Sequence, residues 1–479
     1  MKKVLFLAAL FASASVLAQN VGIGTPTPTE KLQVAGNIKL DTIKPNAIKL
    51  PPGAGNGKIL TSDAAGNASW QADRASTSVG FGSWGDCSTN NISEYNPVAD
   101  PTGANGDNFG ISVSVSGNYA IVGALLDNVG LNVNQGSASI FQYNGSNWVF
   151  MQKIVDPGGQ ANDFFGRSVS LSGNYAIVGS YGDDVNTSID QGSACIYIFN
   201  GTGWIFLQKI TDALGAAGDQ FGISVSISDS YAVVGAITDD VNSNVDQGSA
   251  CIYKLSGSNW AQMQKITDAA GAFGDNFGNS VSVSGSFVII GANKDDGVNA
   301  TNQGSASIYA FNGAAWVLMT KVLDGSGSLN EQFGSSVSIF GNYAIIGADE
   351  DDVGTNASQG SASIYQYNGS SWVLMQKITD ANGAADDQFG VSVSISGNYA
   401  IVGALTDDVG ANQSQGSASI YLRIGQGWQK VQYISDPGGN AEDFFGISAA
   451  IDGATKRFLI GASFFGAGGS GKAVFGKIN

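Results

Sequence analysis

Carboxylates recur at fixed intervals along this chain, and they are the groups in it that could do chemistry. Asp-Asp pairs stand at Asp183-Asp184, Asp239-Asp240, Asp295-Asp296, Asp351-Asp352 and Asp407-Asp408, each 56 residues from the next. A second series runs Asp100, Asp156, Asp212, Asp268, Asp324, Asp380 and Asp436. Seven residues after each come Asp107, Asp163, Asp219, Asp275, Glu331, Asp387 and Asp443. Such groups suit acid–base hydrolysis by paired carboxylates, or the holding of cations and basic ligands. The chain has no histidine, which excludes His-based triads, imidazole metal sites and His proton shuttles. No carboxylate lies in a motif that occurs once, as an active site would require. The expectation is therefore a non-catalytic protein. A secreted carboxylate-dependent glycan hydrolase or lyase is one alternative, and a purely structural surface protein another. A net charge of −17 leaves no basic surface to neutralise phosphates, so no nucleic-acid partner is expected.

The acids are placed by a repeat. Phe-Gly recurs at Phe109, Phe165, Phe221, Phe277, Phe333, Phe389 and Phe445, and Gly-Ser-Ala from Gly136 to Gly416. A Trp recurs from Trp148 to Trp428, all at the same 56-residue interval. Each unit holds four strand-like runs, in the first Ile111–Ser116, Tyr119–Ala124, Ser137–Tyr143 and Trp148–Ile154. They alternate, or are β-branched and aromatic, and Ser116-Gly117-Asn118 and Asn144-Gly145 supply hairpin turns. Nothing has helical periodicity. Four antiparallel strands in each of seven units predict an all-β, seven-bladed β-propeller. Seven Phe-Gly strands stand against six Trp strands, so the last blade lacks an outer strand. Ile92–Asp100 is expected to supply it, pairing with Gly471–Gly476 and closing the ring; Pro97 suits an outermost edge. The recurrent Trp and Phe are expected in the core between blades. Cys195 and Cys251, one repeat apart, are expected to be buried and unbridged.

In such a blade the links between strands 2 and 3 and between strand 4 and the next strand 1 share one face, so the acids gather there. Two readings stand: a cation or basic-ligand surface, or Asp side chains that each accept backbone N–H bonds within their own loop. Departures from the repeat point to an asymmetric ligand. Asp349-Glu350-Asp351-Asp352 is the densest acidic run; Arg167 and Asn279 stand where other units carry Ile, Ser or Val; Asp190 and Asp246 replace Asn, Ser or Thr. The expected ligand-binding set is Asp349, Glu350, Asp351, Asp352, Asp295, Asp296, Asp183, Asp184, Arg167 and Asn279.

The pattern FGxSVSxSGxxxIVGA…DD…GSAxIYxxNGxxWxxxQKI resembles the FG-GAP repeat over about Asp100 to Asn479. The resemblance implies a propeller like that of integrin α-subunits, and binding or adhesion rather than catalysis. Many such blades carry a DxDxDGxxD calcium loop between strands 1 and 2. Here that link is only Ser116-Gly117-Asn118, Ser228-Asp229-Ser230 or similar, so the calcium sites are not carried over and no cofactor is expected; Ca²⁺ binding elsewhere stays open.

Residues 1–18 read as a signal peptide: Lys2 and Lys3, the apolar run Val4 to Ala12, and small residues at Val16-Leu17-Ala18. Residues 19–76 lack the repeat and resemble stalk segments of tail-fibre-like surface proteins of Bacteroidota, as in Val21–Thr25 and Lys31–Lys39. They read either as an attachment or oligomerising stalk or as a poorly ordered leader. Residues 77–479 are expected to form the propeller. The protein is expected to be secreted, extracellular or at the cell surface, the periplasm being open too. Its partner would be a glycan or a protein.

Overall fold

The computed structural model describes residues 21–23, 32–34, 58–62, 68–72, 92–296, 300–325, 329–463 and 469–479. The expected export signal and Cys87 lie outside them. The chain divides into two units, Met1–Asp86 and Cys87–Asn479. In the first, Val21–Ile23 pairs parallel with Leu32–Val34, and Lys58–Ser62 antiparallel with Ala68–Ala72.

The second unit is a ring of seven four-stranded antiparallel sheets, the blades of a propeller, numbered here in chain order. Blade 1 consists of Phe109–Ser116, Tyr119–Ala124, Ser137–Tyr143 and Trp148–Ile154. Its inner strand starts two residues before the expected Ile111, because Phe109 still pairs with Ala124 across an irregularity in register.

The repeated residues are those by which one blade grips the next. The Phe of every Phe-Gly is at most 1% exposed, and the Gly after it sits at a φ between 92° and 106°, where a Cβ is strained. In the second strand, a Cβ on Gly179 would stand 1.9 Å from the Gly222 carbonyl of the next blade, so only Gly allows that approach. Hydrophobic clusters span neighbouring blades: Ile177 and Ile196 of blade 2 pack with Val225, Tyr253 and Trp260 of blade 3. Cys195 and Cys251 are free and buried in this core. Ser112 Oγ donates to the Gly166 carbonyl at 2.8 Å, and the same bond runs round the ring to Ser448 and Gly110 at 2.7 Å.

Ile92–Val98 is the outer strand of blade 7, antiparallel to Lys472–Ile478. The expected closure is present with shifted bounds. Asp100 lies beyond the strand because its carboxylate turns back to the Thr102 N–H, at 3.0 Å, and to Lys153. The seam between blades 7 and 1 differs from the others. Ser394 Oγ accepts the Ile451 N–H at 3.2 Å, as its counterparts do in the blades before it, but the next position is Ala450. There Asp452 Oδ2 accepts the Gly117 N–H at 2.7 Å instead, and Arg457 donates to the Gly117 carbonyl at 3.2 Å.

Candidate functional site

Links 2–3 and 4–1 do share a face and bond to each other across blades. The Asn162 N–H donates to the Val133 carbonyl at 2.9 Å, Gly218 to Ile189 at 2.9 Å and Gly274 to Val245 at 3.0 Å. Beneath this face most of the acids are buried around lysines. Lys153 Nζ lies 2.8 Å from Asp100 Oδ2 and 2.5 Å from Asp127 Oδ2. Lys209 joins Asp156 and Asp183, Lys265 joins Asp212 and Asp239, Lys321 joins Asp268 and Asp295, and Lys377 joins Asp324 and Asp351. The lysine on the fourth strand thus ties the incoming link to its own blade's 2–3 link. The third acid caps its loop: Asp163 Oδ2 accepts the Gln160 N–H at 2.5 Å.

Two blades lack that lysine and rebuild the cluster. In blade 6 its position holds Tyr433, whose hydroxyl donates to Asp407 Oδ2 at 2.8 Å, while Lys430 reaches Asp380 at 3.0 Å. In blade 7 the position is Pro97, and Lys472, from the third strand, pairs with Asp436 and, at 2.8 Å, with Asp443. Burial opposes the charge of Lys209, but its bonds to Asp156 and Asp183 outweigh that and raise its pKa. Asp163 is pushed up to about 7, first by burial and then by the charges of Asp183 and Asp156.

Carboxylate oxygens of Asp100, Asp107 and Asp127, of Asp156, Asp163 and Asp183, and of Asp324, Glu331 and Asp351 lie within 4.8 Å of one another. Such groups could hold a metal, but a lysine ammonium already sits against two acids of each. The short turns between strands 1 and 2, such as Ser116-Gly117-Asn118, cannot supply the six to eight oxygens that Ca²⁺ takes. The residues present do not fit the calcium sites of the resemblance.

Above the clusters the second Asp of each pair is exposed. One oxygen of Asp184 accepts the Asp190 N–H at 2.9 Å, and Asp240, Asp296, Asp352 and Asp408 do the same six residues on. None of the five joins an ion pair among the described residues. Large apolar side chains lie between them: Leu131 is 99% exposed, Leu214 79%, Phe273 73%, Ile189 64% and Leu329 63%. With Val133 and Val245 they form an arc over the links from blade 1 to the entry of blade 5. The repeat positions of Val133 and Phe273 hold Ala357, Gln413, Ala385 and Ala441 around blades 5 to 7. Within the arc, Asp246, Phe273, Lys294 and Asp296 line a cleft of about 390 Å³.

A second cavity, of about 460 Å³, lies on the propeller axis. The residue after each Phe-Gly lines it: Arg167, Asn279 and Ser335 in blades 2, 4 and 5, and Ile111, Ile223, Val391 and Ile447 in the others. Asn293, Gln332 and Asp349 complete the wall beside blades 4 and 5.

The structure thus distributes the ten expected ligand-binding residues over several environments. Asp183, Asp295 and Asp351 are buried against lysines, which leaves them structural rather than ligand-facing. Asp184, Asp296 and Asp352 stand on the rim. Arg167, Asn279 and Asp349 face the axial cavity. Glu350 is half-buried and accepts from Gln388 Nε2, in the link into the next blade, at 2.9 Å. The run Asp349–Asp352 is therefore not one cluster. The sequence reading missed the lysines, although the Lys of Gln-Lys-Ile repeats with the acids, and it missed the apolar arc and Asn293.

A ring of seven four-stranded antiparallel blades defines a β-propeller. The FG-GAP repeat profile matches residues 98–141, 148–199, 204–253, 260–309, 316–365 and 372–421, more than half of the chain, and the chain belongs to that family. Most matches run from the outer strand of one blade through the third strand of the next. Among solved structures, the crystal structure of Saccharomyces cerevisiae Sqt1 aligns over 76% of this chain and 82% of that chain, at 10% identity and a TM-score of 0.40, a likeness that carries no argument. No curated protein matches the chain.

Proposed function

We propose that the protein is an exported, non-catalytic recognition propeller that binds a protein partner bearing basic side chains through the rim of blades 1 to 4. The observation that carries this is the cleft at Phe273. An aromatic ring there stands beside Asp246 and Asp296, two carboxylates against the one ammonium of Lys294, which suits a Lys or Arg whose stem packs on the ring and whose head meets the carboxylates. The surrounding arc of Leu131, Ile189, Leu214 and Leu329 suits a protein surface, whereas the recurrent Trp side chains that could stack on sugars are buried. Export rests on the residues of the first 18 positions. A glycan partner is the second reading, favoured by the hydroxyl- and carboxylate-rich loops.

Screening the full-length chain against arrays of Lys- and Arg-containing peptides and of glycans tests this. Peptide binding is expected, weakening as salt rises because exposed charges are screened over about 8 Å at physiological ionic strength. Combining Phe273→Ser with Asp246→Asn and Asp296→Asn should weaken it roughly tenfold or more with an unchanged melting temperature. Binding confined to the glycan array would favour the second reading. Glycan turnover abolished by a single carboxylate substitution would replace recognition with catalysis.

A further inference from the structure

The residue after Phe-Gly lines the axial cavity in every blade, and the residue after the second strand joins it at Asn293 and Asp349; in six of the seven blades the two positions change together. After Phe-Gly stand Arg167, Asn279 and Ser335 in blades 2, 4 and 5; after the second strand of the same blades stand Tyr181, Asn293 and Asp349. In blades 1, 3 and 6 both are aliphatic: Ile111 with Leu125, Ile223 with Ile237, and Val391 with Leu405. A requirement of the fold would fall on every blade alike. Blade 7 carries Ile447 with Ser463; both positions are polar in blades 2, 4 and 5, which marks a demand that the other blades do not share.

The charges brought to this cavity meet no opposite charge among the described residues. The Arg167 guanidinium makes no ion pair or side-chain hydrogen bond among the described residues, and Tyr181 is the titratable group that acts on it. Asn293 Oδ1 is buried without a hydrogen-bond partner; the Asp349 carboxylate accepts a hydrogen bond from the Ser335 hydroxyl but pairs with no cation among the described residues. Burial lowers the pKa of Arg167 and raises that of Asp349, as it does for charges drawn out of water. Asn279 is already committed, donating to the Ser335 carbonyl at 2.9 Å. Blades 2 and 5 are three apart in a ring of seven, so Arg167 and Asp349 stand on opposing walls, and no ion pair joins them. Buried polar atoms left without partners are costly, and an unmatched cation facing an unmatched anion is the complement of a ligand carrying both charges.

We propose that the axial cavity binds a small zwitterion of the free amino-acid class, with its carboxylate on Arg167 and its ammonium on Asp349 and Asn293. The aliphatic wall of Ile111, Ile223, Val391 and Ile447 receives the ligand's side chain. A simple anion would satisfy Arg167 but meet repulsion from Asp349, and a simple cation the reverse. The cavity falls within the roughly 300–1,000 Å³ of small-molecule sites. It shares no lining residue with the rim cleft, so the two sites stand or fall separately.

The test is calorimetric titration of the full-length chain with each of the twenty free L-amino acids. One or more should bind. For each binder, the N-acetyl and carboxamide derivatives should bind at least roughly tenfold more weakly, because each loses a charge-assisted hydrogen bond. Arg167→Met and Asp349→Asn should each weaken the free amino acid by a similar factor, with Arg167→Lys restoring part of it, while Phe273→Ser leaves it unchanged. Absence of binding by all twenty, or binding that survives both ligand modifications, would overturn the proposal. The derivatives decide the matter on the unaltered chain even where a substitution disturbs folding.

Discussion

The lysine–carboxylate clusters under the rim and the polar wall of the axial cavity both take charge out of water, and they do it in opposite ways. Around the rim the pattern recurs blade after blade, and a lysine ammonium from the same chain sits against the carboxylates. Where the lysine is lost, at Tyr433 and Pro97, Lys430 and Lys472 arrive from other positions to replace it. In the cavity the charges appear in a few blades only, and among the described residues no opposite charge pairs with them. Repetition with compensation marks what a blade needs in order to hold its own loops. Departure without compensation marks a demand from outside the chain.

The largest effect that could break this contrast is on stability. Lys209→Met strands Asp156 and Asp183 and should cost about 3 kcal/mol, seen as a lower denaturation midpoint, whereas Arg167→Met should stay within about 0.5 kcal/mol of the unaltered chain. Equal losses would erase the distinction. A smaller effect follows from protons. Asp163 is held at about 7, and Asp219, Asp275 and Asp387 at about 6, first by burial and then by neighbouring carboxylates. Above the ordinary carboxylate range the unfolded chain has released these protons while the folded chain keeps them. Stability should therefore fall as pH rises from about 5 towards about 7.5. Asp212 and Asp436 are lowered, since bonds to Lys265 and Lys472 outweigh burial; their contribution is lost only below that window. Melting temperatures across the window should decline, and Asp163→Asn should flatten the decline. The smallest effect lies between inner strands: Ser394→Ala should cost about 1 kcal/mol by chemical denaturation, since it unpairs the Ile451 N–H, a loss that Asp452 and Arg457 offset at the seam beside Ala450.

The ring was legible because each repeated residue serves the same local purpose in blade after blade. Three of the four strands of the first unit keep the bounds read from alternation and turn residues. Phe109 was missed because its pairing with Ala124 crosses an irregularity that alternation does not reveal. The site was less legible, since adjacency in sequence is a poor guide within a link. Asp351 and Asp352 are neighbours, yet one turns inward to Lys377 and the other outward to the Ser358 N–H. The partners of the buried acids lie far along the chain, 53 residues separating Asp212 from Lys265, and no local pattern joins them. Arg167 and Asn279 stood out as departures from the repeat, but only the ring shows that they line one cavity with Asp349.

The strand Ile92–Val98 has a mechanical consequence. It runs toward the rim, where Asp100 begins the link into blade 1, so the chain enters the propeller on the opposite face. A molecule anchored through the residues before Ile92 and pulled at the rim carries the load along this strand. Its ladder to Lys472–Ile478 lies across the pull, so the bonds are sheared together rather than peeled one at a time. The closure that completes blade 7 is also a joint oriented to resist tension.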